Sequence, residues 1–119
     1  MARILLAEDD ASMRRFLARG LARAGHQVTE ARDGLEALTS LERGAFDLLL
    51  ADIVMPGVDG IDLAKRARRE DPTLKVMLIT GFAAVAVEAE SAFLESAKVL
   101  SKPFHLRDLV GEVEKLLAA

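Results

Sequence analysis

FDLLLAD, residues 46–52, is a near-continuous apolar run that stops abruptly at an acid. Side chains alternate across a strand, so a strand with one wet face reads as alternating polar and apolar residues. A run that is apolar at almost every position suits a strand covered on both faces, as in a parallel sheet. Working outward, RILLA (3–7) and KVMLIT (75–80) have the same character, and AKVLS (97–101) adds another short run. HQVTEA (26–31) interleaves polar residues, which predicts an edge strand.

Between these runs the period changes. Met13, Phe16, Leu17 and Leu21 recur at helical spacing, and Gly25 stands where that helix would stop. Asp33-Gly34 opens a second helical segment that carries Leu35, Leu38 and Leu41 and ends near Gly44. Ile61, Leu63, Ala64 and Ala67 mark a third, closed by Asp71-Pro72, and residues 84–93 form a weaker fourth. Leu106, Leu109, Val110, Val113, Leu116 and Leu117 stripe the last. Strands and helices that alternate through short connections predict an α/β fold, (βα)5, with a doubly wound parallel sheet and helices on both faces. No linker or repeat interrupts residues 1–119, which read as one domain.

Hydrophobic residues make up 51 % and charged residues 29 % of the chain, so a packed core is affordable and disorder is excluded. The net charge of −3 lacks the electrostatic footprint of a nucleic-acid binder. Without cysteine there is no disulfide framework, thiolate metal site or thiol catalysis. The first apolar run passes directly into Glu8, Asp9 and Asp10, which leaves no room for a signal peptide or membrane span there. A soluble, cytoplasmic protein is expected.

In open α/β sheets, chemistry collects at the carboxyl ends of the strands. Those ends carry Glu8-Asp9-Asp10, Asp52, Thr80-Gly81 and Lys102-Pro103. Taken singly, each has an ordinary explanation, and Asp10 reads well as a helix N-cap. Together they form a carboxylate cluster that is costly at neutral pH unless a cation sits among them. Hard oxygen ligands without imidazole or thiolate favour Mg2+ over zinc or copper. Lys102 can hold Asp52 or an oxygen of an incoming phosphoryl group, and Thr80 can donate to another. A carboxylate nucleophile, a divalent metal, a lysine and a hydroxyl point to formation and hydrolysis of an aspartyl phosphate.

At these residues the chain resembles the bacterial two-component response-regulator receiver family over its full length, through RILLAEDD, DLLLADIVMPGVDG, MLITGFA and VLSKPF in order. The resemblance implies a flavodoxin-like fold with strand order 2-1-3-4-5 and phosphorylation by a histidine kinase or histidine phosphotransfer protein. It makes Asp52 the phosphoacceptor and Glu8 with Asp9 the acidic pair that orders Mg2+, with the backbone carbonyl of Val54 as a further ligand. It also makes Thr80 the switch hydroxyl, Lys102 the phosphate-pairing lysine, and Pro103 the residue after a cis peptide. Met55-Pro56-Gly57 becomes the loop after the acceptor, with Gly60 as a tight turn within it. Two positions depart from the family. Val99 stands where many members carry Tyr or Phe, so the aromatic half of the usual switch is absent. Lys98 stands where an acid is common.

Within the family, DIVMPGVDGIDLA, ITGFAAVA, AKVLSKPFHLRDLV and the ending KLLAA resemble stand-alone receivers of alphaproteobacteria. This closer likeness implies that the unphosphorylated form associates with ClpX in the ClpXP protease and primes it for certain substrates, and that phosphorylation turns this off. A cell-cycle role and recruitment to a cell pole follow, and the ending Leu117-Ala118-Ala119 resembles tags recognised by ClpX. Nothing follows residue 119, so no output domain is expected, and a signal would leave through this domain's own surface as a monomer or weak dimer. The apolar stretch 82–94 is a candidate partner patch. Lys65, Arg66, Arg68 and Arg69 read as a solvated helix face, and His26 and His105 as structural. The competing reading inside the family is a shuttle that passes phosphate between phosphotransfer proteins. An aspartyl-nucleophile phosphatase would need an acid at Val54. A flavin carrier would need a phosphate-binding loop where the acids stand. The chain is therefore expected to be no enzyme beyond weak self-phosphorylation and autodephosphorylation.

Overall fold

The computed structural model describes residues 1–81 and 97–119. The predicted helix over 84–93 and the apolar stretch 82–94 lie outside these residues. The described elements are β1 (Arg3–Ala7), α1 (Ala11–Arg23), β2 (Gln27–Ala31), α2 (Gly34–Arg43), β3 (Leu48–Asp52), α3 (Gly60–Glu70), β4 (Lys75–Thr80), β5 (Lys98–Ser101) and α4 (Leu106–Ala118). All strand pairs are parallel and the sheet order is β2-β1-β3-β4-β5, as expected.

The apolar runs lie where two-sided burial demands them. Leu48, Leu49, Leu50 and Ala51 of β3 are all fully buried. Leu49 and Ala51 pack with Leu63, Ala64 and Ala67 of α3 on one face. Leu48 and Leu50 pack with Leu17 and Leu21 of α1 and Leu109 and Val113 of α4 on the other. In β2 only Ala31 is buried, which suits its place at the sheet edge.

Two apolar residues expected on inward helix faces point outward. Phe16 is 51 % exposed and Leu35 is 69 % exposed. The buried stripe of α1 runs through Leu17, Ala18, Gly20 and Leu21. Gly20 faces the Leu106 side chain so closely that a Cβ there would lie 2.7 Å from its methyl carbons. The contact to α4 is therefore made one turn past Phe16. In α2, Gly34 and Ala37 take the buried positions, with Leu38 and Leu41 packed partly beside them, and Leu35 is left outside.

The loop after β3 also differs in detail from expectation. The left-handed residue is Gly57 (φ 73°), whereas Gly60 opens α3 and forms no turn. Gly60 is needed for close approach instead. Its N–H donates to the Ile53 carbonyl at 2.9 Å, and a Cβ there would collide with the Asp52 carbonyl oxygen. Backbone meets backbone at this point, so neither side can yield cheaply. Gly60→Ala should destabilise the protein by about 1–3 kcal/mol, as overpacking typically does. Urea denaturation tests this, and an unchanged midpoint would show that the β3–α3 junction has slack.

Candidate functional site

Three loops at the carboxyl ends of β1, β3 and β5 meet in one acidic pocket. The first is held by Asp10, whose carboxylate caps α1 by accepting from the N–H groups of Ser12 (2.9 Å) and Met13 (3.1 Å). This anchors the chain where it turns away from β1, directly after Glu8 and Asp9. Asp52 ends β3, its residue only 6 % exposed. Its Oδ1 accepts the Val54 N–H at 3.1 Å, so the peptide of Val54 lies against the carboxylate. Its Oδ2 accepts from Lys102 Nζ at 2.9 Å. Lys102 arrives from the end of β5, where its N–H donates to the Thr80 carbonyl at 2.8 Å and a cis peptide bond joins it to Pro103.

Glu8, Asp9 and Asp52 each present a carboxylate oxygen within 4.8 Å of the others. Glu8 and Asp52 are buried, whereas Asp9 is exposed. Burial pushes the Glu8 carboxyl up from its ordinary 4.5 to about 7; the Asp10 N–H opposes the rise, and the Asp52 charge and contacts with Asp9 and Asp52 add to it. For Lys102, burial works against the charge, but the hydrogen bond and charge of Asp52, with Glu8 and Asp9, outweigh it and raise its pKa.

The pocket fits a hard divalent cation by an observation independent of composition. Glu8 Oε1 is buried without a hydrogen-bond partner, and Lys102 Nζ is 3.8 Å away. A buried carboxylate oxygen left unsatisfied is costly, and only a proton or a cation among these acids makes their proximity favourable. Glu8, Asp9 and Asp52 would hold Mg2+, which prefers oxygen ligands and keeps several of its waters. When bound, the ion would supply positive charge to the oxygens of a phosphoryl group.

The structure thus brings together Glu8, Asp9, Asp52 and Lys102, with the Val54 N–H, and not its expected carbonyl, as the observed backbone contact to Asp52. Thr80 is fully buried at the end of β4, beside them in the sheet. Val99 pairs with Leu78 and packs partly buried against the α2–α3 side of the core. Lys98 pairs with Glu112 of α4 at 3.3 Å. Both histidines stand apart from the pocket. His26 Nδ1 accepts the Ala2 N–H and its Nε2 faces Glu114 Oε1 at 2.9 Å, while His105 precedes α4. The basic run of α3 is not wholly solvated, because Arg68 donates to the Leu74 carbonyl at 3.1 Å. Arg14, which the sequence reading passed over, donates to the Glu8 carbonyl at 2.9 Å. The available signal was a cation in the first turn of a helix, where the dipole disfavours it.

Comparison with known proteins gives the family and the fold. The family model described as Response regulator receiver domain matches residues 4–114. The response regulator receiver protein CpdR of Brucella abortus is 60 % identical over 119 residues, which cover 100 % of this chain and 99 % of that protein. A CheY-like receiver domain from Methanospirillum hungatei superposes with a TM-score of 0.90 at 29 % identity, covering 99 % of this chain and 94 % of that one. The response regulator TrrA of Thermotoga maritima, solved in complex with Mg2+ and BeF, superposes with a TM-score of 0.86 at 30 % identity, covering 98 % and 99 %. No helix among the described residues is long and apolar enough to cross a membrane.

Proposed function

The chain belongs to the response regulator receiver family, and from that premise we propose that Asp52 accepts a phosphoryl group from a histidine kinase or phosphotransfer protein. The observation that carries this reading is the Asp52 carboxylate itself: buried, 2.9 Å from Lys102 Nζ, and within reach of the acids that would hold Mg2+. In the step, an Asp52 carboxylate oxygen forms the new O–P bond while the bond from phosphorus to the donor breaks, and the donor leaves with that electron pair. Lys102 then shifts its hydrogen bond from the carboxylate to a phosphoryl oxygen, and the Thr80 hydroxyl donates to another. These movements repack the ends of β4 and β5. With Val99 in the aromatic position, the change reaches the surface by small shifts of a β-branched side chain and not by a ring swinging inward.

The likeness to Brucella CpdR supports a sharper form of the proposal. The unphosphorylated domain binds ClpX and primes ClpXP for selected substrates during the cell cycle, and phosphate on Asp52 ends that contact. The protein then works in the cytoplasm and is recruited to a cell pole. Recovery of ClpX on the immobilised chain, with and without beryllofluoride and Mg2+, tests this. Binding should be strong without the phosphate mimic and at least about tenfold weaker with it, a difference in coupling of roughly 1.4 kcal/mol. No ClpX under either condition, with capture of a histidine phosphotransfer protein, would replace the adaptor by a phosphate shuttle.

A further inference from the structure

Glu8 is committed at every polar atom but one. Its N–H donates to the Ala31 carbonyl at 3.0 Å, its carbonyl accepts from Arg14 Nη1 at 2.9 Å, and its Oε2 accepts the Asp10 N–H at 3.2 Å. Only Oε1 is left without a hydrogen-bond partner; it lies 3.8 Å from Lys102 Nζ, on the side of the carboxylate pocket. Two of the three restraints are backbone groups, the Ala31 carbonyl and the Asp10 N–H. The third is a side chain from α1, and that side chain has a second attachment. Arg14 Nε lies 3.3 Å from Glu30 Oε1 of β2, with the Arg14 side chain only 16 % exposed.

The position of Arg14 is unfavourable by local rules. It is the fourth residue of α1, close to the positive end of the helix dipole, and the first turn of α1 contains no acid. A guanidinium there is accounted for by what it holds. It bridges the carboxyl end of β1 to the edge strand β2 and fixes the peptide from which Glu8 projects. Its contact is with the Glu8 backbone carbonyl, so it acts on the position of the peptide.

We infer that Arg14 is a positioning residue for the divalent cation: by clasping the Glu8 carbonyl it holds Glu8 Oε1 in the pocket before the ion arrives. The inference rests on the reading of the pocket as a Mg2+ site. Residues behind metal ligands act in this way elsewhere, and their removal typically lowers metal affinity about 10–100-fold.

The test is Mg2+ titration calorimetry near pH 8 on the full chain, with folding checked by circular dichroism. Arg14→Met keeps the apolar stem and removes the donors, and should weaken Mg2+ binding at least about tenfold. Arg14→Lys keeps one donor group and the charge, and should recover part of the loss. Glu30→Gln breaks the ion pair but leaves the bond to the Glu8 carbonyl, so its affinity should stay within about threefold of wild type. A merely structural arginine would lower the melting temperature of Arg14→Met and leave Mg2+ affinity where it was, which would overturn the inference. Glu30→Gln as weak as Arg14→Met would overturn the assignment to the carbonyl contact. Should Arg14→Met not fold, Arg14→Lys decides: wild-type affinity in a variant of reduced stability counts against positioning, and a severalfold loss at unchanged stability supports it. Absence of Mg2+ binding in the wild type overturns this inference together with the metal reading, whereas binding equal in wild type and Arg14→Met overturns this inference alone.

Discussion

Asp52→Asn is expected to take up no phosphoryl group from acetyl phosphate in the presence of Mg2+, while the wild-type chain is labelled towards one phosphate per molecule. Asparagine keeps nearly the shape of aspartate, and its single amide oxygen can keep one of the two contacts that fix the native side chain, the Val54 N–H on Oδ1 or Lys102 Nζ on Oδ2. The variant should therefore fold. It loses the negative charge and lone-pair basicity with which a carboxylate attacks phosphorus, and an amide does not stand in for a nucleophile. The acids left in the pocket do not substitute for it. Glu8 is buried with its carboxyl raised to about 7, and Asp9 is exposed. Intact-protein mass spectrometry reads the outcome directly. Stoichiometric labelling of the asparagine variant would remove Asp52 from its role. In the ClpX recovery experiment the same variant should bind whether or not acetyl phosphate is present, because its unphosphorylated state cannot be left.

Most of the fold was legible because its central strands lack the ambiguity of half-buried ones. Leu48 to Ala51 are buried on both faces, so their apolar run needed no choice of inward side. The edge position of β2 was equally visible in Gln27, Thr29 and Glu30, whose polarity matches their exposure. Helix faces were harder. Spacing identifies a stripe but not which residue at its border meets a neighbour, and Phe16 and Leu35 fell on the outer side of that border. The order of strands came from resemblance and not from the runs, because nothing in the runs alone says which strand neighbours which.

The acids of the site were legible for a different reason: strand ends in this architecture converge, so Glu8 and Asp52 could be placed together without knowing a single contact. Contacts to backbone could not be read in this way. Arg14 and Gly60 both act on a carbonyl oxygen, one by donating to it and one by leaving room for it. A carbonyl is present at every residue and leaves no mark in the sequence.

Glu8→Gln is expected to make the metal-free protein more stable near pH 8 while weakening its hold on Mg2+, opposite signs from one substitution. The Glu8 carboxyl titrates at about 7 in the folded chain against an ordinary 4.5, with burial as the main cause. A carboxyl raised by folding keeps its proton where the unfolded chain has lost it. Stability therefore falls as pH rises through the interval from 4.5 to about 7, and the penalty is complete above it. At about 1.4 kcal/mol for each pH unit, that interval corresponds to roughly 3 kcal/mol as an upper bound. Among the groups that face Glu8, Lys102 has its pKa raised from an already basic value, so it does not titrate in this window. The charge of Asp52 and contacts with Asp9 and Asp52 add to the effect of burial on Glu8.

Glutamine cannot ionise and keeps an oxygen for the Asp10 N–H, so its stability should be nearly flat from pH 5 to pH 8. It should match the wild type at pH 5 and exceed it by about 1–3 kcal/mol at pH 8 without metal. Mg2+ should reverse that order, because an ion bound only by the folded state stabilises in proportion to the logarithm of its occupancy, and the wild type offers it one more charged ligand. Urea denaturation at both pH values, with EDTA and then with Mg2+, measures all four quantities. A glutamine variant less stable than wild type at pH 8 in EDTA would mean that Glu8 is held in the pocket for packing. A wild type that Mg2+ fails to stabilise would mean that the acids do not await a cation.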